Sequence, residues 1–309
     1  MPKHDKRAMM VASRASNLAL LQTNLVINLL RRNNADAEFI IKEITTKGDK
    51  ELDKDLTQIS GQGIFIKELE KALLESKCDF AVHSLKDMPT EIASGLKLAA
   101  IINRDDPRDA LVLRTGSSLE KLPVGVSVGT SSPRRQVQIK ALRPDIKVCP
   151  LRGNIDTRLR KLDEGEFDAI VLASAGLLRM GLGHRISQYL PVDACLPAVG
   201  QGALAVEARS NDKKTLDLLA ELDHEATRIC VSAERSFLRT LGGGCRAPIA
   251  ALATVSGDSL ELKGMAASPD GSSVVKDCMG GPVSKPEDLG KILAKELLKK
   301  GAQDFIHKV

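Results

Sequence analysis

Through the first 200 residues one unit recurs: a short apolar run, a polar or glycine-bearing turn, then an amphipathic helical pattern. Ala8–Ser13 reads as a strand and Asn17–Arg32 as a helix, with Leu18, Leu21, Leu25 and Leu29 at i, i+3, i+7 and i+11 on one face. A strand at Glu38–Ile44, a helix at Ile64–Leu74 and a strand at Cys78–Ser84 follow. A second series starts near Asp109, with strands at Val124–Val128, Ile146–Leu151 and Phe167–Ala173. Between them lie the turn Thr130–Ser132, a helix Pro133–Leu142 with proline at its first position, the turn Arg152–Asn154, a helix from about Asp156, and the turn Ser174–Gly176. Strands joined through helices cannot be hairpin partners, so this alternation predicts α/β architecture with parallel sheets.

Beyond about Asp223 the pattern changes. One helix, about Ala226–Leu241, runs into Gly242–Gly244, short alternating segments with glycine turns follow, and a last helix covers Pro286–Lys300. That reads as a small α+β domain with an antiparallel sheet. Arg104–Pro107 and Leu196–Gly202 read as crossings between the first two parts. Residues 45–63 form a polar connection too long for an ordinary turn, either a functional lid or an insert; both imply mobility.

Composition removes several classes. The 309 residues carry 45 Lys and Arg against 40 Asp and Glu, and a net charge of +5 marks neither a nucleic-acid nor a membrane binder. With no Trp, one Tyr and six Phe, aromatic platforms for bases are scarce. No apolar run nears the roughly 18 residues of a membrane span, and no apolar stretch follows the basic start, so no signal peptide is expected. Six scattered cysteines without a CxxC pair predict neither a disulfide scaffold nor a zinc site, and no metal is expected. The reading is a reduced, cytoplasmic protein.

The chemistry lies in the placement of cations. Arg14, Lys86, Arg134, Arg135, Arg152 and Arg179 all fall just past predicted strand ends or in the helical turns that follow. In open α/β sheets that rim binds ligands, and helix N-termini there favour anions. Arg134 and Arg135, after Ser132 as N-cap and Pro133, occupy a first helical turn where cations oppose the dipole. An isolated pair would be solvated surface. Recurrence in five turns points instead to a polyanionic ligand that relieves the repulsion. Carboxylates suit it better than phosphates, since neither GxxxxGK[ST] nor GxGxxG follows a strand. Asp87 is either an ion-pair partner of Lys86 or a group that stabilises a developing cation. Cys245, flanked by glycines and Arg246, is either a small buried thiol or a reactive thiolate. His83 reads as a core or supporting residue, His184 and His224 as surface, and Cys78, Cys149 and Cys230 as buried thiols.

Ten segments of the chain resemble the porphobilinogen deaminase family, also called hydroxymethylbilane synthase: SRASNLAL (13–20), TKGD (46–49), IFIKELE (64–70), AVHSLKDMP (81–89), DPRDA (106–110), VGTSSPRRQ (128–136), LRGNIDTRL (151–159), AGLLRMGL (175–182), LPAVGQGAL (196–204) and GGGCRAP (242–248). They run in family order over nearly the whole chain. The resemblance implies two periplasmic-binding-protein-like α/β lobes with an active cleft between them: domain 1 from residues 1–103 and 200–222, with a mobile loop at 45–63, and domain 2 from 104–199. A small α+β C-terminal domain, 223–309, would carry the cofactor cysteine. It further implies joining of four porphobilinogen molecules head to tail with loss of ammonia, then hydrolytic release of linear hydroxymethylbilane. The implied cofactor is dipyrromethane, built from substrate and held covalently on Cys245.

By the same resemblance Asp87 is the catalytic aspartate. Lys86, Ser84, Thr130, Ser132, Arg134, Arg135 and Arg158 would hold the cofactor, while Arg14, Arg152, Arg179, Gln22 and Phe65 would meet substrate and the growing chain. Each porphobilinogen bears two carboxylates, which explains so many guanidinium groups. A monomer without nucleic-acid or membrane partners is implied. Departures are Met10, where members often carry a basic residue, Pro133, where leucine is common, and Arg246, where an uncharged residue is expected. The rival reading is a non-catalytic, two-lobed anion-binding or effector-sensing protein, which would need neither Cys245 nor Asp87.

Overall fold

The computed structural model describes residues 8–46, 66–242 and 247–306. Of the predicted loop only Thr45 and Thr46 fall among them, and Phe65 and Cys245 lie outside. The described chain divides into two units, residues 8–46, 66–104 and 203–227 forming the first, and 105–202 with 228–306 the second.

In the first unit the chain runs through β1 (Met9–Arg14), α1 (Asn17–Asn33), β2 (Phe39–Ile44), α2 (Lys67–Leu74), β3 (Phe80–Ser84), a single tight turn Leu85–Asp87, and β4 (Leu96–Ile101). Ser16 opens α1 by accepting the Ala19 amide, and Arg31 and Arg32 close it at the negative end of the dipole. Its buried residues are Gln22, Thr23, Val26, Ile27 and Leu30; of the four leucines the spacing marks, Leu25 and Leu29 flank that stripe and pack on the same core, while Leu21 is 44% exposed. The helix is rotated so that branched residues pack on the sheet while the Thr23 hydroxyl donates to Ser13 Oγ at 2.9 Å.

The second unit begins with β5 (Asp109–Leu113), then β6 (Ser127–Gly129), α3 (Pro133–Leu142), β7 (Lys147–Cys149), α4 (Ile155–Asp163), β8 (Ala169–Ala173), α5 (Ser174–Arg179) and a short β9 (Gln188–Tyr189). The chain then returns to the first unit as β10 (Leu204–Arg209) and α6 (Lys213–Ala220). Both sheets have five strands and the same plan, β2-β1-β3-β10-β4 and β7-β6-β8-β5-β9. In each, four strands are parallel and one, β10 or β5, is antiparallel to both neighbours. The all-parallel expectation is therefore corrected. The reversed strand of each sheet directly follows a crossing, so no helix precedes it to turn the chain round.

Helix α7 (Glu225–Leu241) leads into a meander, β11 (Ile249–Ser256), β12 (Ser259–Ala267) and β13 (Val274–Pro282), with α8 (Pro286–Leu297) and α9 (Gln303–Ile306) after it. Phe237 of α7 and Leu293 and Leu297 of α8 share one core with Leu260 and Leu262 of the sheet. A Cβ on Gly290 would stand 2.3 Å from the Ala233 carbonyl oxygen, so only glycine lets the two helices approach this closely. The last helix is α-helical over Pro286–Leu297 and continues as a π-helical turn from Leu298, and Gly301, at φ 108°, breaks it just past the Lys300 end that the sequence places. The α/β class with a small α+β C-terminal part is borne out. Among the described residues no helix is long and apolar enough to cross a membrane, and no cluster of His, Cys, Asp and Glu is arranged to hold a metal.

Candidate active site

In the first unit β1 and β3 run parallel, Val11 beside Phe80 and Ala12 beside Ala81, so Arg14, Ser84 and the turn after it reach one sheet edge. The turn Leu85–Asp87 is held by its backbone: Leu85 N–H donates to the Ala203 carbonyl and Met88 N–H to that of Leu85, both at 3.0 Å. Leu85 and Met88 are buried beneath it. Lys86 is half-buried and Asp87 exposed, and no hydrogen bond or ion pair engages the Asp87 carboxylate among the described residues. The Lys86 pairing left open by the sequence is not formed. Ser84 Oγ donates to Gln22 Oε1 at 3.1 Å, so these two predicted site residues are joined, with Gln22 almost wholly buried.

His83, one residue before Ser84, is buried as expected. Its Nε2 lies 3.1 Å from Glu207 Oε2 on the antiparallel β10. This contact cross-links β3, which ends at Ser84 and leads into the Leu85–Asp87 turn, to its neighbour.

In the second unit, the turn after β6 is ordered by its own side chains. Thr130 Oγ1 accepts the Ser132 amide, Ser131 Oγ exchanges hydrogen bonds with both backbone groups of Leu151 at 3.0 Å, and Ser132 caps α3. After β7, Asn154 caps α4 through the Thr157 amide, and Arg158 Nε donates to the Gly153 carbonyl at 2.7 Å. Arg152 sits half-buried between them. Arg179, in the last turn of α5, donates from Nε to Asp105 at 2.8 Å and from Nη2 to the Gly202 carbonyl at 2.6 Å. Burial lowers its affinity for a proton, and Asp105 opposes that loss.

Arg134 and Arg135 turn out to be buried, and the anion that relieves their repulsion is internal. Asp109, wholly buried at the first position of β5, accepts from Arg134 Nη1 at 2.7 Å and from Arg135 Nε and Nη2 at 3.1 and 2.8 Å. Burial pushes the Asp109 carboxyl up, but the two guanidinium groups outweigh it and hold it far below the usual carboxylate range. Cys195 donates to the same carboxylate at 3.3 Å, and burial with the Asp109 charge pushes its thiol up to about 12. Gln201 Nε2 adds a further bond to Asp109 at 2.9 Å. Sequence reasoning missed this centre. The available signal was a carboxylate opening an otherwise apolar strand, Asp109-Ala-Leu-Val-Leu, since a buried charge demands cations nearby.

Two guanidinium groups against one carboxylate leave a buried excess of one positive charge. Both Nη1 hydrogens of Arg134 are committed, to Asp109 and to the Leu196 carbonyl at 2.8 Å, so its Nε and Nη2 remain as donors. That donor set fits a carboxylate-bearing group such as dipyrromethane.

Two family models match the chain: porphobilinogen deaminase, dipyrromethane cofactor binding domain, over residues 9–217, and porphobilinogen deaminase, C-terminal domain, over residues 228–299. The porphobilinogen deaminase of Brevibacillus brevis is 52% identical over 300 residues, covering 97% of this chain and 96% of that protein. That of Nitrosomonas europaea is 49% identical over 300 residues, with 97% of each chain covered. A solved nutrient-binding protein from Burkholderia cenocepacia is a distant likeness, 12% identical with a TM-score of 0.43, covering 69% of this chain and 90% of that one. Near-complete coverage by both domain models, together with half-identical relatives of the same length, leaves a non-catalytic anion-binding module unfavoured, and the chain belongs to the porphobilinogen deaminase family.

Proposed function

We propose that Asp87 and Cys245 carry the two essential tasks of the reaction, stabilising cationic pyrroles and anchoring the cofactor. The chain is a hydroxymethylbilane synthase, a transferase that condenses four porphobilinogen molecules and releases the linear tetrapyrrole by hydrolysis. At each addition the aminomethyl C–N bond of porphobilinogen breaks, ammonia leaves, and a bond forms from that methylene to the free α-carbon of the acceptor pyrrole, which then loses a proton. The dipyrromethane cofactor supplies the first acceptor carbon.

Loss of ammonia leaves a cation delocalised over the substrate pyrrole. A fixed carboxylate accepting its N–H stabilises that charge without reorganising. Asp87 suits the task because its backbone is held by the buried Leu85 and Met88 while its carboxylate is exposed and uncommitted. That uncommitted carboxylate at a strand end is the observation that carries the assignment. Arg134, Arg135, Arg158, Lys86, Ser84, Thr130 and Ser132 take the cofactor carboxylates and neighbouring polar atoms in this reading. Arg14, Arg152, Arg179, Gln22 and Phe65 serve substrate and the growing chain. The thioether to Cys245 keeps the cofactor through repeated turnovers.

Division of the work among three domains, 1–103 with 200–222, 104–199 and 223–309, is part of the same proposal. It is supported by β10 joining the first sheet and by the separate sheet β11–β13. The proposal also takes the enzyme to be a monomer and places it in the cytoplasm, the latter in keeping with free thiols at Cys78, Cys149, Cys195, Cys230 and Cys278.

The test measures ammonia and tetrapyrrole together after adding porphobilinogen. Wild type should release four ammonia per hydroxymethylbilane, and Asp87→Asn should slow both in that same ratio. Ammonia without tetrapyrrole, or full activity in Asp87→Asn, would overturn the reading.

A further inference from the structure

We infer that Asp109 is a positioning residue for cofactor capture, aiming the guanidinium group of Arg134 while touching no ligand itself. The inference rests on the reading above that Arg134 holds a cofactor carboxylate. Two separate stretches of chain meet on this one carboxylate: the first turn of α3, through Arg134 and Arg135, and the crossing 195–201, through Cys195 and Gln201. Each guanidinium is fixed by acceptors on two different elements. Arg134 has Asp109 and the Leu196 carbonyl; Arg135 has Asp109 and the Val171 carbonyl at 2.9 Å. Gln138 completes the frame by exchanging hydrogen bonds with both backbone groups of Leu196, at 3.1 and 2.8 Å.

A purely structural ion pair would be neutral, because unmatched buried charge is costly. Here the ratio is two to one, and the excess sits on a side chain whose Nη1 is clamped from behind. Such an arrangement restrains a long, rotamer-rich side chain before the ligand arrives, so less ordering remains for the binding step. Without Asp109, two adjacent guanidinium groups would repel each other and Arg134 would lose its direction.

Full-length variants purified as apoprotein, from cells unable to make porphobilinogen, test this. Thermal melting reports folding, and intact mass follows dipyrrole loading after porphobilinogen is added. Asp109→Asn combined with Arg135→Gln keeps the buried net charge of the wild type but releases Arg134. It should load at least about ten-fold more slowly than Arg135→Gln alone, at temperatures where both are folded. Equal loading rates for those two would overturn the inference. Should the double variant not fold, Asp109→Glu decides, since it keeps the charge but displaces the carboxylate by one methylene. Slowed loading in a folded Asp109→Glu is expected, and wild-type loading overturns the inference. Arg134→Gln separates the two levels of argument. If it loads normally, the reading of Arg134 as a cofactor ligand falls. If it loads slowly while the double variant matches Arg135→Gln, only the positioning role of Asp109 falls.

Discussion

Replacing Asp87 by Asn removes one charge from a turn whose shape does not depend on it. The turn is set by Leu85 N–H to Ala203 O and Met88 N–H to Leu85 O, each 3.0 Å, and by the burial of Leu85 and Met88. The exposed carboxylate has no partner among the described residues, so the change should alter stability by no more than about 0.5 kcal/mol. Catalysis is another matter. A unit charge about 4 Å from a developing cation, at an effective dielectric constant near 20, is worth about 4 kcal/mol. Asparagine keeps an acceptor oxygen for a pyrrole N–H but not that charge, so kcat should fall by about 10²- to 10³-fold. The assay is single-turnover ammonia release by rapid quench, paired with thermal melting of the same preparation. A fall of less than about five-fold with an unchanged Tm would refute the electrostatic role. A large drop in Tm would instead show that the side chain supports the fold.

Two further outcomes follow from the buried centre of the second unit. Because Asp109 titrates far lower folded than unfolded, its contribution to stability is present above an unfolded value of about 3.9 and is lost as pH falls toward the folded one; acid unfolding should therefore steepen below about pH 4, and Asp109→Asn should flatten that limb when followed by circular dichroism. Arg134→Lys with Arg135→Lys keeps both charges but loses the two-pronged contacts to Asp109, so mass spectrometry should find reduced dipyrrole loading; full loading would show that charge alone suffices.

Much of the molecule was legible in the sequence because hydrophobic period and turn chemistry are local. The helix Pro133–Leu142 was placed to the residue by Ser132 and Pro133. Strand direction is not local: β5 and β10 run against their neighbours because of where the crossings place them, which no periodicity within the strand encodes. The face of α1 is legible only in part for a related reason: Leu25 and Leu29 flank the buried stripe while Leu21 faces out, and Thr23 finds its partner only once β1 lies alongside.

The site divides in the same way. Cations at strand ends could be read from position alone, and Arg134 and Arg135 do stand in the helical turn the sequence marked, whereas Ser84 and Gln22, which are joined in the structure, entered only through the family resemblance. What satisfies them could not be read. Asp109 is 25 residues before Arg134 and 92 before Gln201, and only the folded sheet brings these groups onto one carboxylate.

A cofactor made from substrate and tethered at Cys245 must appear in the intact mass of the protein. Protein from cells that make porphobilinogen should exceed its sequence mass by two pyrrole units, with the excess on the peptide containing Cys245 and absent from Cys245→Ser. An unmodified mass for the active wild-type enzyme, or an excess that survives in Cys245→Ser, would rule out a cofactor held on Cys245.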